Sequence, residues 1–600
     1  MCGIAGILDE NHHLENQKII FKDMIQSMKH RGPTSDGLYL EDHIALMHTR
    51  LAIVDVEKGL QPMHIGDYTI IYNGECYNTE ELRCDLEEKG IVFHTSCDTE
   101  VILNAYIYYK ENCLHMINGI FAFAIYNSKD KCLFLARDPM GVKPLFYTFV
   151  NQILVFASEI KTLLTYPLVK PIIDEHSIHQ IAYLGPGRIS GNGVFKNIYE
   201  IKGGEYATYS SSSFQIHSYF ELKAEPHIDS YEETVEKVRS LVFDSIERQL
   251  VSDVKIGAFL SGGLDSSIIC AVAANHYKKE GKQLSTFSLE FEENDLYFIP
   301  NHFQPTSDIP YIDLMVSTFE TKHTKIKLKS SDLINALYKA VDARDLPGMA
   351  DVDTALLCFC EEVKKHVDVV LSGECADEIF GGYPWFQDQN RSYFPWTQNL
   401  EYRHSLLLNR YQIDYHHYVG SLYHNSIQKA PLLKNASTED IAIQQMTYLN
   451  IHWFMQTLLD RKDRMSMASG LEARVPFCDT RILNYVYSIP WEYKNHNQKE
   501  KGLLREAMKN LLPKEISERK KSPFPKTHHP EYLRILRQEL IKISKVDEPL
   551  WKIFNKEEVL KLCDEESTIP WYGQLMTTPQ TIAYLLQINY WIKKYKIQIQ

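Results

Sequence analysis

The stretch "VKIGAFLSGGLDSSIICAVAANHY" at 254–277 constrains the fold more than any other. Residues 254–260 form an apolar run of buried-strand length, the kind that a parallel sheet covered on both faces requires. Ser261, Gly262 and Gly263 make a tight turn, and Ser266 onward reads as a helix. A strand, a glycine turn and a helix start bring several backbone N–H groups and the positive end of the helix dipole to one point, where phosphate binds. Asp265 is out of place beside phosphates unless it holds a Mg2+ that bridges to them. The Gly-x4-Gly-Lys-[Ser/Thr] loop is absent here. Downstream, "VVLSGECADEIFGGYPWF" repeats the theme with a second apolar strand, then Ser372, Gly373 and Glu374, then Asp377 and Glu378. A strand ending in Ser-Gly with acids beyond it fits the carboxyl edge of such a sheet, where α/β folds bind ligands. Glu374 is placed to act on a substrate amine and Asp377 to hold a second Mg2+. The competing reading is an ordinary solvated acidic loop.

The rest of the chain has a different texture. The first 160 residues carry short β-type runs, among them "CGIAGIL", "HIALMHTRLAIVD", "YTIIYNGE" and "FAFAIYN". Helical stretches around "QKIIFKDMIQSMKH" and "TEVILNAYIYYKEN" interrupt them, an α+β layered pattern. "GPGRISGNG" and "IKGGEY" near 185–205 read as turns, and "SSSS" at 210–213 marks a seam. Beyond it helices alternate with short apolar strands, and the C-terminal third is mostly helical. The expected domains are therefore 2–210, layered α+β, and 211–600, α/β with a parallel sheet and a largely helical C-terminal part. Six hundred residues allow two to four domains. A net charge of −14 argues against nucleic acid or an anionic membrane as the main partner. No run approaches a membrane span, and no secretory leader is read at the N-terminus. The 12 cysteines lack zinc spacing, and Cys358 and Cys360 pack on one apolar segment. The expectation is a cytoplasmic protein with reduced thiols.

Cys2 opens the chain's first apolar run, and two readings compete. It is either a small buried hydrophobe or, once Met1 is removed, a thiol beside a free amine. The stretches "HRGPTSDG" (30–37), "HTRLAIVD" (48–55), "YNGECYN" (72–78), "TSCDTEV" (95–101) and "LARDPMGVKPLFY" (135–147) favour the second. In this order they resemble the class II glutamine amidotransferase, a glutaminase of N-terminal-nucleophile (Ntn) type. That resemblance implies Cys2 as nucleophile and its α-amine, titrating near ~7.7–8.0, as base. It implies Asn73 and Gly74 as the oxyanion hole. Arg50 takes the glutamine carboxylate, Glu75 and Asp98 take its ammonium, and Ile53 and Val54 line the pocket.

"SGGLDS" likewise resembles the ATP loop of pyrophosphatase-type enzymes, which cleave ATP to AMP and pyrophosphate and adenylate a carboxylate. The implied ATP site is Leu260, Ser261, Gly262, Gly263, Asp265, Ser266, Ser288, Ser372 and Gly373, with Mg2+ on Asp265 and Asp377. A glutaminase followed by such a domain is similar to the glutamine-hydrolysing asparagine synthetase family. "LLDRKDRMSMASGLEARVPFCD" (458–479) and "KEKGLLREAM" (499–508) resemble its C-terminal blocks. Lys501 matches the lysine that neutralises charge as pyrophosphate leaves, and Glu374 lies near the adenylate. The family implies glutamine, aspartate and ATP as substrates, Mg2+ as cofactor, and a dry path for ammonia. It allows a homodimer. Three features depart from the pattern: Cys375 replaces a common Gly, 341–353 reads "VDARDLPGMADVD", and 386–450 is longer than in compact relatives. They leave open another carboxylate acceptor, such as a cell-wall precursor or peptide. β-Lactam synthetases share both domains but lack the nucleophilic Cys. A non-enzymatic binding relative is the remaining alternative, and a coupled assay for glutamate and pyrophosphate separates it from an enzyme.

Overall fold

A computed structural model describes residues 2–210, 213–298, 306–388, 393–567, 569–574 and 576–600. Met1 and residues 211–212, on which the expected processing and seam fall, lie outside them, as do residues 389–392 of the long segment.

The first unit is built from two six-stranded antiparallel sheets. One contains Gly3–Leu8 between Ile153–Ala157 and Ile44–Arg50, and the other pairs Tyr68–Cys76 with Gly119–Asn127. Strand side chains alternate between faces. Ile4, Leu46, Ile71, Ala122, Leu135 and Phe156 point inward and form one core between the sheets. Ala5, Ile7 and Met47 point outward and are covered by Phe21 and Met24 of the helix Lys18–Ser27. Tyr72, Phe121 and Phe123 of the second sheet are covered by the helices Thr79–Glu88 and Asp98–Tyr109. The result is a helix–sheet–sheet–helix stack, the layered α+β arrangement expected of an Ntn domain. Glu205–Ser210 pairs with Ser213–Ser218, so a hairpin carries this sheet across the seam expected at 210/211. Helix Thr79–Glu88 escapes sequence reading because only Leu82 and Leu86, one turn apart, are buried in it.

The second unit holds a five-stranded parallel sheet in the order Lys322–Leu328, Ser285–Phe291, Ile256–Phe259, Val369–Leu371, Glu472–Arg474. Chain order runs outward in one direction from Ile256–Phe259 and then resumes on its other side at Val369–Leu371. The switch point therefore lies between these two strands, where a crevice opens at their carboxyl ends. The loops bearing Ser261 and Ser372 both emerge there. The helix Leu264–Lys279 follows the first loop, as the glycine turn predicts. Cys358 and Cys360 are buried on the helix Asp351–Val363, and all twelve cysteines are free. Beyond Arg474 the described residues are mostly helical, and the 386–450 segment contributes helices Leu400–Ser405, Tyr415–Ile427 and Thr438–Leu449. No helix among the described residues is long and apolar enough to cross a membrane.

Candidate active sites

The first site sits where the two antiparallel sheets meet at one end. Gly3 pairs with Thr49, which sets Cys2 beside Arg50 and Leu51 at the strand ends. Asn73 and Gly74 lie on Tyr68–Cys76 of the facing sheet. The Cys2 backbone N–H donates to Asn73 Oδ1 at 3.0 Å. Asn73 is fully buried, and its Nδ2 has no hydrogen-bond partner. Leaving a buried donor unmade costs roughly 1–3 kcal/mol. A donor held in that state beside a thiol is the kind that stabilises a developing oxyanion. A Cβ on Gly74 would lie 2.3 Å from the Ile120 carbonyl oxygen, so only glycine lets the two strands close there. Burial pushes the Cys2 thiol up, opposed by the Leu51 N–H and Arg50, so the nucleophile needs a base. His48 does not supply one. Burial lowers its ring to about 3, and its Nε2 bonds the Tyr72 carbonyl at 3.2 Å.

Arg50 departs from expectation. Its guanidinium donates to the carbonyls of Val56 and Asp55, both at 2.7 Å, and of Val54 at 3.5 Å. Three of the five donors of the fork expected to face a carboxylate also close its own loop, because the chain turns back over the strand end at 51–56. The same loop is clamped from the second unit, where Asp253 N–H donates to the Ile53 carbonyl at 3.0 Å and Asp253 Oδ2 accepts from Asp55 N–H at 2.8 Å. Asp98 accepts from Cys76 N–H at 3.1 Å, and Glu75 lies 3.0 Å from Arg474 Nη2. Burial, Glu472 and Asp98 push the Glu75 carboxyl well up, and Arg474 opposes them. A pocket wall with such an excess of carboxylate attracts an ammonium.

The second site is a cavity of about 240 Å³ at the switch point. Leu260, Ser261, Gly263, Asp265, Ser266, Ser372, Gly373, Glu374, Asp377 and Lys501 all line it. Gly262 does not. It adopts φ +69°, and a Cβ there would meet Tyr311 at 2.8 Å, so it makes the turn rather than the wall. Ser288 is also turned away. Its hydroxyl bonds His323 Nε2 at 3.0 Å, and by strand alternation its neighbours Phe287 and Leu289 face the cavity instead. The two loops touch: a Cβ on Gly373 would lie 3.0 Å from Asp265 Cβ. Cys375 adopts φ +78°. That left-handed conformation costs an L-residue about 1–2 kcal/mol, a cost that glycine would not carry.

Lys501 Nζ lies 2.6 Å from Asp265 and 2.7 Å from Asp377, and Lys521 Nζ lies 2.5 Å from Asp377. Burial raises the Asp265 carboxyl, whereas the two lysines hold Asp377 well below the usual range against burial. Mg2+ on nucleotides takes one or two carboxylates and completes its shell with phosphate oxygens and water. Asp265 and Asp377 fit that pattern. Among the described residues no three metal-ligating side chains gather, so a metal here depends on phosphate.

One turn of the buried helix Met455–Ala468 serves both sites. Arg461 Nη2 and Lys462 Nζ reach Glu374 at 3.2 and 3.1 Å and hold its carboxyl down against burial. The next residue, Asp463, takes both Nη atoms of Arg31 at 2.9 and 3.2 Å and Lys143 at 3.2 Å. Arg31 Nε in turn donates to the Cys2 carbonyl at 3.0 Å. Sequence reading missed Arg31, Lys143, Arg461, Lys462, Asp463, Arg474 and Lys521. A charged run on a helix usually marks a solvated face, and only the domain interface buries this one.

The fold joins an amidotransferase-type layered domain to a synthetase-type domain with a parallel sheet. A glutamine amidotransferase domain model matches residues 1–220, and an asparagine synthase model matches residues 237–593. The chain belongs to the asparagine synthase family. It is 47% identical, over 100% of both chains, to asparagine synthetase [glutamine-hydrolyzing] 3 of Bacillus subtilis. It is 33% identical to asparagine synthetase [glutamine-hydrolyzing] 1 of the same organism, over 88% of this chain and 87% of that one. With asparagine synthetase [glutamine-hydrolyzing] 2 of Arabidopsis thaliana it shares 27% identity over 87% of this chain and 78% of the relative.

Proposed function

We propose that the chain converts aspartate to asparagine, using glutamine as nitrogen donor and ATP as activator. The observation that carries this is the unpartnered Asn73 amide beside Cys2, in one chain with two Ser-Gly loops at the sheet's switch point.

In the first site the Cys2 α-amine, free once Met1 is removed, takes the thiol proton. The thiolate attacks the glutamine amide, Asn73 Nδ2 and the Gly74 N–H hold the oxyanion, the α-ammonium returns its proton to the leaving nitrogen, and ammonia departs from the tetrahedral adduct to leave a thioester. Water hydrolyses the thioester to glutamate. Glu75 and Asp98 hold the substrate ammonium. Arg50 meets the substrate carboxylate only by sharing its fork with the 54–56 carbonyls, and Ile53 and Val54 form the wall.

In the second site the N–H groups at Ser261, Gly263 and Ser266 cradle phosphate. The aspartate side-chain carboxylate attacks the α-phosphate and releases pyrophosphate, whose charge Lys501 and Lys521 offset. Asp265 and Asp377 would hold a Mg2+, which would supply further charge neutralisation at the phosphates. Ammonia then attacks the acyl-adenylate near Glu374 and releases AMP. Ammonia crosses as the neutral species, and one apolar cluster runs from Leu51, Ile120 and Val142 to Met455, Leu371 and Cys375. The twelve free cysteines suit a reducing cytoplasm.

The test is a product balance. ATP, glutamine and aspartate should give asparagine, glutamate, AMP and pyrophosphate in equal amounts. No asparagine from aspartate, with pyrophosphate released on adding another carboxylate, would replace the acceptor.

A further inference from the structure

Arg474 belongs to the parallel sheet of the second unit, yet its side chain ends in the wall of the first site. It sits on the edge strand Glu472–Arg474 opposite Leu371, and its carbonyl accepts from Ser372 N–H at 2.9 Å, at the root of the phosphate loop. The guanidinium is buried and fully engaged. Nη1 donates to the carbonyls of Gln249 and Val251, both at 2.7 Å, Nε to Glu472 at 2.6 Å, and Nη2 to Glu75 at 3.0 Å. Two backbone carbonyls therefore fix the fork, and the fixed fork aims at Glu75. Burial and two further carboxylates, Glu472 and Asp98, push the Glu75 carboxyl well up, and the positive charges of Arg474 and the N-terminal amine oppose them. A substrate ammonium adds a second positive charge beside Arg474 and so draws the Glu75 proton off as it binds, which makes capture sensitive to Arg474.

We propose that Arg474 is a positioning residue that holds the Glu75 carboxyl aimed at the ammonium of glutamine, so that the second domain completes substrate recognition in the first. The proposal rests on reading Glu75 and Asp98 as the ammonium site. A purely structural clasp between the domains is the competing account, and it has no reason to favour one glutaminase substrate over another.

The experiment uses the full chain and measures kcat/KM for hydrolysis of glutamine and of 4-carbamoylbutanoate, which is glutamine without its α-amino group. Wild type should prefer glutamine strongly. Arg474→Met should lose about tenfold or more on glutamine and little on the des-amino analogue, and Arg474→Lys should recover part of the preference. The acid limb of kcat/KM for glutamine should move to higher pH in Arg474→Met. Glu472→Gln removes a repelling carboxylate, so its acid limb should move the other way. This second variant keeps the proposal testable if Arg474→Met fails to fold. Equal losses on both substrates, or acid limbs that stay fixed, overturn the role of Arg474. A wild type that does not distinguish the two substrates overturns the ammonium site itself.

Discussion

Asn73→Ala isolates the chemistry of the first site. The substitution removes Nδ2, the unpartnered donor beside Cys2, and also Oδ1, which accepts from the Cys2 N–H at 3.0 Å. Losing one oxyanion donor costs about 2.7–4 kcal/mol of transition-state stabilisation, or roughly 10²–10³ in kcat. Losing the second bond adds about 1 kcal/mol, part of which appears as poorer placement of Cys2. Because the donor acts on charge that exists only in the transition state, KM for glutamine should change little. The expected result is glutamate release slowed by about two to three orders of magnitude, with ammonium-supported pyrophosphate release retained. Asn73→Asp should fail similarly, since an ionised carboxylate cannot donate. A loss below about fivefold, roughly 1 kcal/mol, would refute the oxyanion role. So would a comparable loss in the ammonium-supported reaction.

Asp265→Asn should abolish pyrophosphate release with either nitrogen source while glutamine hydrolysis continues, as read by a pyrophosphate assay alongside glutamate release. Wild-type pyrophosphate rates would remove Asp265 from the phosphate site. Glu378 predicts a pH effect: burial and Asp377 raise its carboxyl to about 8, and it accepts from Tyr383 OH at 2.7 Å. The native state then keeps a proton that the unfolded state has lost above ~4.3, so this group's contribution to stability falls as pH rises to about 8. Glu378→Gln mimics the neutral acid and should flatten the decline of the unfolding midpoint between pH 5.5 and 8; an unchanged slope would show that Glu378 is ionised in the native state.

Local pattern carried much of this molecule. The strand–glycine–helix at 254–277 and the strand at 369–371 can be read from apolar runs and turn residues alone, and the sheet order then places both loops at one crevice. Cys2 lies 71 positions from Asn73, yet the packing of the two facing sheets brings its N–H to 3.0 Å from Asn73 Oδ1. What stayed illegible depends on the interface between the two units. Arg31, Asp463 and Arg474 look like surface charges until the domains meet, because nothing local shows that their partners lie hundreds of residues away. Ser288 shows a finer limit, since a one-residue alternation decides which side of a strand faces the cavity. Arg50 shows another, since nothing local tells that the carbonyls of a backbone turn share its fork.

On the proposed mechanism, nitrogen is liberated at Cys2 and consumed at a separate site in the same chain. Cys2→Ala tests this most directly. With ATP and aspartate, the variant should make no asparagine from glutamine but should make it from ammonium at close to the wild-type rate, with AMP and pyrophosphate in equal amounts. Glutamine-dependent synthesis that survives the substitution, or ammonium-dependent synthesis that disappears with it while the fold is intact, would contradict the account.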